Sequence, residues 1–187
     1  MPEITLKRAD VQHVAEIIEV MESAYRGVSS QKGWTSEADL IDGTRTSTVE
    51  IFAAINDPKT YVLVAMTEGD GVVGCASITF EGQVCSFGKF AVDPSRQAGG
   101  IGKLLLAAAE QVATRNFGVS IMKMLVIDGR SELEAFYERR GYARTGNIVH
   151  MADLHTSDDM TIGHDLVLNE YAKSLIFRKR AVWPALR

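Results

Sequence analysis

The chain has 187 residues, of which 46% are apolar and 24% are charged, and its formal net charge is -4. These values are typical of one folded globular domain, and they exclude a disordered chain and a fibrous protein. The negative charge provides no broad basic surface for nucleic acid, and no apolar run approaches the roughly 18 residues that span a bilayer. Because MPEITLKRAD has no apolar leader segment, we expect a cytoplasmic protein with neither nucleic-acid nor membrane partners.

The first third of the chain predicts one strand and three helices around a long loop. EITLKRA is a short strand, and Asp10 caps a helix whose apolar residues follow a helical period up to Tyr25. The Gly- and Ser-rich loop that follows contains a short second helix. Ser47 and Glu50 form a capping box that begins the third helix, which ends before Asn56.

The middle of the chain predicts an antiparallel meander followed by a helix and a strand. YVLVAMTE, VVGCASITFE and VCSFGKFAV are β-branched or aromatic runs separated by turn-forming residues. A helix covers about residues 100–116 and ends at Gly118, and SIMKMLVI reads as a central strand that is buried on both faces. The core face of this helix is predicted to consist of apolar residues at helical spacing, namely Ile101, Leu104, Leu105, Ala108 and Val112.

The last third predicts one helix and two strands. SELE at residues 131–134 reads as a second capping box, and the helix that it begins ends at Gly141. The segments YARTGNIVHM and DLVLNEYAKSLIF then pair as the last two strands.

The glycine-rich turn RQAGGIGK lies between the strand that ends at Val92 and the next helix. Such a turn leaves backbone N–H groups unpaired at the helix N-terminus, where the helix dipole favours an anion. Gly99, Gly100 and Gly102 lack Cβ atoms and would let a diphosphate approach the backbone, although glycines also serve tight packing of a helix on a sheet. A P-loop would need a glycine in place of Gln97, and a dinucleotide fingerprint would need one in place of Leu105.

Two segments resemble signatures of the GNAT N-acetyltransferase family. QAGGIG at residues 97–102 is similar to the family's Gln/Arg-x-x-Gly-x-Gly/Ala turn, and FYERRGYARTG at residues 136–146 is similar to its second signature. The order of strands and helices also agrees from residue 4 to about residue 172. The resemblance implies one N-acetyltransferase domain over residues 1–187, with a core at about 4–172 and a basic C-terminal tail.

The resemblance implies a mixed α/β fold and acetyl-CoA as the cofactor. We expect a central, mostly antiparallel twisted sheet of about seven strands with one splayed parallel pair, flanked by about four helices. The splayed strands would accept the pantetheine arm, with backbone groups of Phe90 and Val92 bonding its amides. The expected cofactor-binding residues are Phe90, Ala91, Val92, Gln97, Ala98, Gly99, Gly100, Ile101, Gly102, Lys103, Arg130, Phe136 and Tyr137.

Tyr137 matches the tyrosine that serves as the acid in this family. A phenol with a pKa of about 10 is protonated at neutral pH and can donate to the leaving CoA sulfur, although Tyr137 also fits the packed face of its helix. Arg130 stands where many members have an asparagine, and it would bind the cofactor, a substrate carboxylate or only a surface partner. The general base is left open among Glu37, Glu81, Asp128 and a water chain.

The family's variable first loops cover the acceptor end of the cleft. On that basis the expected acceptor-binding residues are Tyr25, Trp34, Thr35, Glu37 and Arg45, although Trp34 could instead only pin the loop to the core. We expect direct transfer of an acetyl group to a primary amine of a small molecule. The alternatives are a protein N-terminus or lysine as the acceptor, and a CoA-binding module without catalytic activity.

The remaining reactive side chains point to no second chemistry. Cys75 and Cys85 lie in strand-like runs and match neither a metal pattern nor a disulfide framework. A covalent cysteine intermediate is disfavoured because neither residue lies at a helix N-terminus or beside a recognisable histidine base. The histidines His150, His155 and His164 lie near acidic residues, but their spacing matches no metal site, so no metal is expected. The basic tail, Arg178 to Arg180, could contact the CoA 3'-phosphate, the partner in a homodimer or only solvent.

Overall fold

The computed structural model describes residues 3–26, 41–42, 44–97, 99–154, 161–162 and 166–175. Within these residues the elements follow in a mixed order of strands and helices. They are β1 (Ile4–Arg8), α1 (Val14–Tyr25), β2 (Ile41–Asp42), α2 (Thr48–Asn56), β3 (Thr60–Thr67), β4 (Gly71–Glu81), β5 (Val84–Val92), α3 (Ile101–Phe117), β6 (Ile121–Ile127), α4 (Ser131–Glu138), β7 (Ala143–His150), β8 (Thr161–Ile162) and β9 (Val167–Ser174).

Seven of the strands form one mixed sheet in the spatial order β1-β3-β4-β5-β6-β9-β7, and β2 pairs with β8. All neighbours in the large sheet are antiparallel except β5 and β6. This parallel pair has only three register positions, from Val84 with Ile121 to Ser86 with Lys123. The expected mixed α/β fold is therefore confirmed, and β5 has no pairing with β6 beyond Ser86.

Helices cover both faces of the sheet. Leu105 and Leu106 of α3 and Phe136 of α4 belong to the large core on one face. On the other face, Ile17 and Met21 of α1 and Ile51 of α2 pack in a second core with residues of β3 and β4. The core face of α3 differs by one residue from the sequence prediction, because Leu106 is fully buried and Leu104 is only half-buried.

Strand β6 is buried along one face but only at Ile127 on the other, so the prediction of burial on both faces is wrong. Met122, Met124 and Val126 are buried under α3 and α4, whereas Ile121 and Leu125 are 36% and 38% exposed. The reason is the position of the helices, because α1 and α2 pack over β3, β4 and β5. Part of the remaining face of β6 lines a cavity.

The first predicted capping box is present and the second is absent. The Ser47 hydroxyl accepts from the N–H of Glu50 at 3.2 Å, and the Glu50 carboxylate accepts from the N–H of Ser47 at 3.2 Å. Helix α4 begins one residue earlier than predicted: Arg130 is its N-cap, and no side chain caps it. The residue three positions after this N-cap is Leu133, which has no acceptor, so the pattern SELE cannot form a box there.

This difference predicts unequal stability effects at two serines. Replacing Ser47 with alanine should lower the free energy of unfolding by about 1 kcal/mol, because the cap of α2 is lost. Ser131→Ala should change it by less than about 0.5 kcal/mol, since Ser131 caps nothing. Chemical denaturation of both variants measures this, and an equal loss in the two would contradict the capping assignment.

Candidate active site

The divergence of β5 from β6 opens a cavity of about 490 Å³ in the sheet. Its walls come from the second half of β5, from β6, from the start of α4 and from the α1 side of the molecule. A second cavity of about 240 Å³ lies at the N-terminus of α3. Phe90 of β5 lines both cavities, so the two adjoin at this residue.

A β-bulge shapes β5 at the boundary between the cavities. Ser77 of β4 pairs with Gly88 and Cys75 pairs with Ala91, so Ala76 alone opposes two residues of β5, Lys89 and Phe90. Lys89 has a φ of 44°, and no other non-glycine residue in the described part of the chain has a positive φ. The extra residue lets a second aromatic side chain of β5 reach the core beneath α3, and it leaves Lys89 lining the larger cavity.

The sequence interpretation missed this bulge, although a signal was present. Phe87 and Phe90 are three residues apart and would face opposite sides of a regular strand. In the structure both rings are buried in the same core, with their centroids 5.2 Å apart. Two buried aromatic residues at odd spacing in one strand therefore indicate an inserted residue between them.

The glycine turn presents backbone N–H groups to the smaller cavity. Gly100 is the N-cap of α3 with a φ of 81°, a conformation that glycine adopts without strain, and no side chain caps the helix. Among the described residues, the N–H groups of Ile101, Gly102 and Lys103 have no hydrogen-bond acceptor. All three residues line the smaller cavity. An anion placed there would accept these hydrogen bonds and face the positive end of the helix dipole.

The lack of a side chain at Gly102 allows close packing of α3 as well as access of a ligand to the backbone. A Cβ atom at this position would lie 3.0 Å from Cζ of Phe90, which is tighter than ordinary contact. The helix therefore begins directly against the ring that separates the cavities. Gln97 fixes the other side of the turn, because its side-chain amide donates to the Val92 carbonyl at 3.2 Å. Ala98 lies outside the described residues.

Two carbonyl groups of the splayed strand already accept hydrogen bonds from side chains. The Tyr25 hydroxyl donates to the Phe90 carbonyl, and Gln97 donates to that of Val92. The side chain of Ala91 packs in the core beside α1 and lines neither cavity. Tyr25 thus connects the end of α1 to the centre of β5.

Tyr137 is buried in the wall of the larger cavity. Its ring contacts Phe136 and Tyr142 edge-on, with centroid distances of 5.3 and 6.0 Å, and the residue is only 4% exposed. Burial is the main cause that raises the pKa of Tyr137 far above its usual value, and the neighbouring Tyr25 raises it further. The phenol is therefore neutral at physiological pH. Its hydroxyl makes no hydrogen bond to another described residue.

The expected acceptor-binding residues are brought together only in part. Tyr25 and Arg45 both line the larger cavity, with the Arg45 guanidinium 4.9 Å from the centroid of the Tyr25 ring. Arg130 lines the same cavity from the start of α4. Trp34, Thr35 and Glu37 lie outside the described residues.

Two of the three carboxylates considered as general bases lie outside both cavities, and the third, Glu37, lies outside the described residues. Glu81 ends β4 at the turn into β5, and Asp128 accepts from the Asn169 amide at 2.6 Å; neither lines a cavity. Glu50 and Glu170 line the larger cavity instead. The sequence interpretation used Glu50 only as a helix cap, because a capping pattern does not reveal what lies on the other side of the carboxylate.

The two cysteines are buried thiols. Burial raises the pKa of both Cys75 and Cys85 to about 12. Cys75 donates weakly to the Lys89 carbonyl, with its sulfur 3.3 Å from that oxygen. Neither residue lines a cavity, so neither is placed to form a covalent intermediate.

Comparison with known proteins supports the resemblance. The sequence profile of the acetyltransferase (GNAT) domain matches residues 58–144, which include the bulged strand, the glycine turn and Tyr137. This part of the chain therefore matches the GNAT acetyltransferase domain, in agreement with the resemblance of the two signatures. Acetyltransferases of this family generally use acetyl-CoA. No curated protein matches the chain at a significant level.

Solved structures of GNAT proteins share the fold over nearly the whole chain. A provisionally assigned phosphinothricin N-acetyltransferase has a TM-score of 0.69 and 16% identity, over 94% of this chain and 100% of its own. The spermidine/spermine N-acetyltransferase SpeG from Vibrio cholerae has a TM-score of 0.64 and 13% identity, over 92% of this chain and 93% of its own. The ribosomal-protein-S18-alanine N-acetyltransferase from Escherichia coli has a TM-score of 0.67 and 14% identity, over 97% of this chain and 99% of its own. These GNAT proteins differ in their acceptors.

Two further features concern the described residues alone. None of the helices in this part of the chain is long and apolar enough to cross a membrane. The described residues also contain no group of three or more side chains able to hold a metal ion. His155 and His164 lie outside them.

The buried thiols predict slow chemical modification. At neutral pH a pKa of about 12 lowers the thiolate fraction by roughly three orders of magnitude relative to a free cysteine. A disulfide reagent such as dithionitrobenzoate should label neither cysteine of the native protein within minutes and both after unfolding. Rapid labelling of the folded protein, with loss of acetyltransferase activity, would show that a cysteine is reactive.

Proposed function

We propose that this chain transfers the acetyl group of acetyl-CoA directly to a primary amine of a small molecule. The observation that carries the proposal is the pair of cavities that adjoin at Phe90. One has an uncapped helix N-terminus as its wall, which suits a diphosphate, and the other contains a neutral buried phenol, which suits a leaving thiolate.

The smaller cavity would hold the diphosphate of acetyl-CoA. Backbone N–H groups at residues 101–103 supply hydrogen bonds, and the α3 dipole favours negative charge. Lys103, Arg96 and Arg140 add positive charge around the cavity. Arg96 already pairs with Asp70 at 2.6 Å, so Lys103 and Arg140 supply the charge that is not offset by a described carboxylate.

The pantetheine arm would then run past Phe90 into the larger cavity. There β5 has no strand partner beyond Ser86, so an extended chain can lie beside it. The thioester would reach Tyr137. In the transfer the amine nitrogen attacks the thioester carbon, the carbon–sulfur bond breaks, and Tyr137 donates its hydroxyl proton to the sulfur.

Glu50 is placed to receive the proton that the amine must lose. Its Oε2 accepts from Ser47 N–H and from the Thr46 hydroxyl, the latter at 2.8 Å, which fixes the carboxylate at the cavity wall. Its Oε1 has no hydrogen-bond donor among the described residues. The carboxylate is thus held by one oxygen and available through the other.

The size and charge of the larger cavity favour a small-molecule acceptor. A volume of about 490 Å³ lies in the range of small-ligand sites. A basic peptide, such as one bearing an acceptor lysine, would need an acidic groove, whereas the described lining residues contain four cations and two carboxylates. SpeG, a spermidine/spermine enzyme, and the S18-alanine enzyme show that this fold serves both kinds of acceptor in other proteins.

The diphosphate site predicts the effect of reversing one charge. Lys103→Glu should weaken CoA binding about tenfold or more, because it places an anion beside the diphosphate. The same change should leave the melting temperature unchanged or higher, since an acidic residue in the first turn favours α3. Calorimetric titration with CoA measures the first effect and thermal unfolding the second.

Lys59→Glu is the matched control, because it makes the same change of net charge at an exposed lysine that lines neither cavity. Equal CoA affinity in the Lys103→Glu variant and the wild-type protein would contradict the diphosphate site.

Tyr137→Phe tests the proposed acid. Loss of the donated proton should lower kcat by about 100-fold, the low end of acid–base contributions, with CoA affinity unchanged. The measurement is acetyl transfer to a panel of primary amines by the two proteins, with calorimetry of CoA binding alongside. An unchanged kcat would remove Tyr137 from the mechanism, and no transfer by the wild-type protein to any amine would contradict the proposed function.

A further inference from the structure

The described residues that line the larger cavity carry more positive than negative charge, although the whole chain has a net charge of -4. Of the described residues that line the larger cavity, four are cations and two are carboxylates. The net charge of these lining residues is therefore opposite in sign to that of the whole chain. The cations are Arg45, Lys89, Lys123 and Arg130, and the carboxylates are Glu50 and Glu170.

One of these cations forms an ion pair with a carboxylate of the same cavity. Lys123 pairs with Glu170 across β6 and β9 at 3.1 Å. Lys89 differs, because no carboxylate of a described residue lies within 4 Å of its ammonium group. Burial is the main cause that lowers the pKa of Lys89; the carboxylate of Glu50 is the next largest influence and raises it, and the smaller influence of Arg45 lowers it. Lys89 and Arg45 thus both bring positive charge to the lining of this cavity.

The position of Lys89 is fixed by its surroundings. It lies in the β-bulge with a φ of 44°, its carbonyl accepts from the Cys75 thiol, and the next carbonyl, that of Phe90, accepts from Tyr25. Arg45 lies against the Tyr25 ring, and its backbone N–H donates to Glu22 at 2.6 Å. Both side chains therefore line the cavity from backbone that neighbouring residues hold by hydrogen bonds, and an anion bound there would be attracted to both.

Acetyl-CoA does not account for this charge. Its phosphates belong at the other cavity, at the N-terminus of α3, and the thioester and acetyl group that would reach Tyr137 are uncharged. A polyamine acceptor would be repelled by Lys89 and Arg45. An acceptor that bears a carboxylate as well as an amine would be attracted, and Glu50 would remain available for its amine.

We propose that the acceptor is an amine that also carries a carboxylate, as an amino acid does, and that Lys89 with Arg45 binds this carboxylate. The inference rests on the proposed acetyl transfer and names its substrate class. Lys89 is then a specificity-determining residue. Its charged hydrogen bond to the substrate would be made in a partly desolvated site, where such bonds are strongest.

The experiment compares acceptors that differ only in the carboxylate. For several side chains, the amino acid, its amide and its decarboxylated amine are assayed with acetyl-CoA, at equal concentrations of the neutral amine, and spermidine is included as a polycation. We expect kcat/KM for the best amino acid to exceed that of its amide and decarboxylated amine by about 10- to 100-fold, the range for a charged hydrogen bond.

Three variants locate the effect. Lys89→Met should lower kcat/KM for the best amino acid by about 10- to 100-fold, mainly by raising KM. The same variant should change kcat/KM for the amides little. Lys89→Arg should recover part of the loss. Lys59→Met removes the same charge outside both cavities and should match the wild-type protein. Calorimetry should show equal acetyl-CoA affinity in all four proteins.

Three results would overturn the inference. If kcat/KM for the amides, the decarboxylated amines or spermidine equals or exceeds that for the amino acids, recognition of an acceptor carboxylate is refuted, while the proposed acetyl transfer remains intact. An equal loss for charged and neutral acceptors in Lys89→Met would show that Lys89 acts on the thioester instead. No transfer to any amine, by protein that binds acetyl-CoA, would refute both the inference and the proposed function.

Discussion

The divergence of β5 and β6 after three paired positions is the constraint on which the rest of the molecule depends. A strand inside a sheet that loses its neighbour exposes backbone groups that must find other partners. Here side chains supply some of them: Tyr25 donates to the Phe90 carbonyl and Gln97 to that of Val92. The gap that remains is the larger cavity. The loss of pairing between β5 and β6 therefore creates the space for a ligand, and the side chains that bond the freed carbonyl groups hold the cavity walls.

Phe90 connects this gap to the glycine turn. Its ring is buried against Phe87 and approaches Phe136 and Tyr137 at centroid distances of 6.0 and 6.4 Å. Gly102 allows α3 to begin directly against it. The same aromatic contacts therefore set where the helix N-terminus, the phenol and the splayed strand lie relative to one another, and a substitution at Phe90 would disturb all three.

Much of this architecture follows from local patterns in the sequence. The strands and helices and the capping box at Ser47 were predictable because period and capping depend on neighbours a few residues away. The two signatures also indicated the GNAT domain that the profile matches at residues 58–144. The box at residues 131–134 failed because α4 begins one residue early, at a turn whose geometry involves Gly129 with a φ of 84°. A one-residue shift is enough to replace the required acceptor with Leu133.

The charges of the acceptor end were the least predictable part. Lys89 faces the cavity only because the bulge, which packs Phe87 and Phe90 on one face, leaves it there. Glu50 lines the same cavity only because α2 lies beside β3 and α1. Both facts depend on packing between distant segments, which the spacing of residues in one segment does not reveal. The cavity charge that follows is the basis for the proposed substrate class.

The central claim, that backbone amides at the start of α3 bind the diphosphate, can be tested directly by NMR. Amide resonances of residues 101–103 are followed during titration with CoA and, separately, with pantetheine, which has the same arm without phosphates. We predict that CoA shifts the amide signals of these residues and that pantetheine leaves them in place. Saturating CoA that shifts signals elsewhere but none of these would contradict the claim.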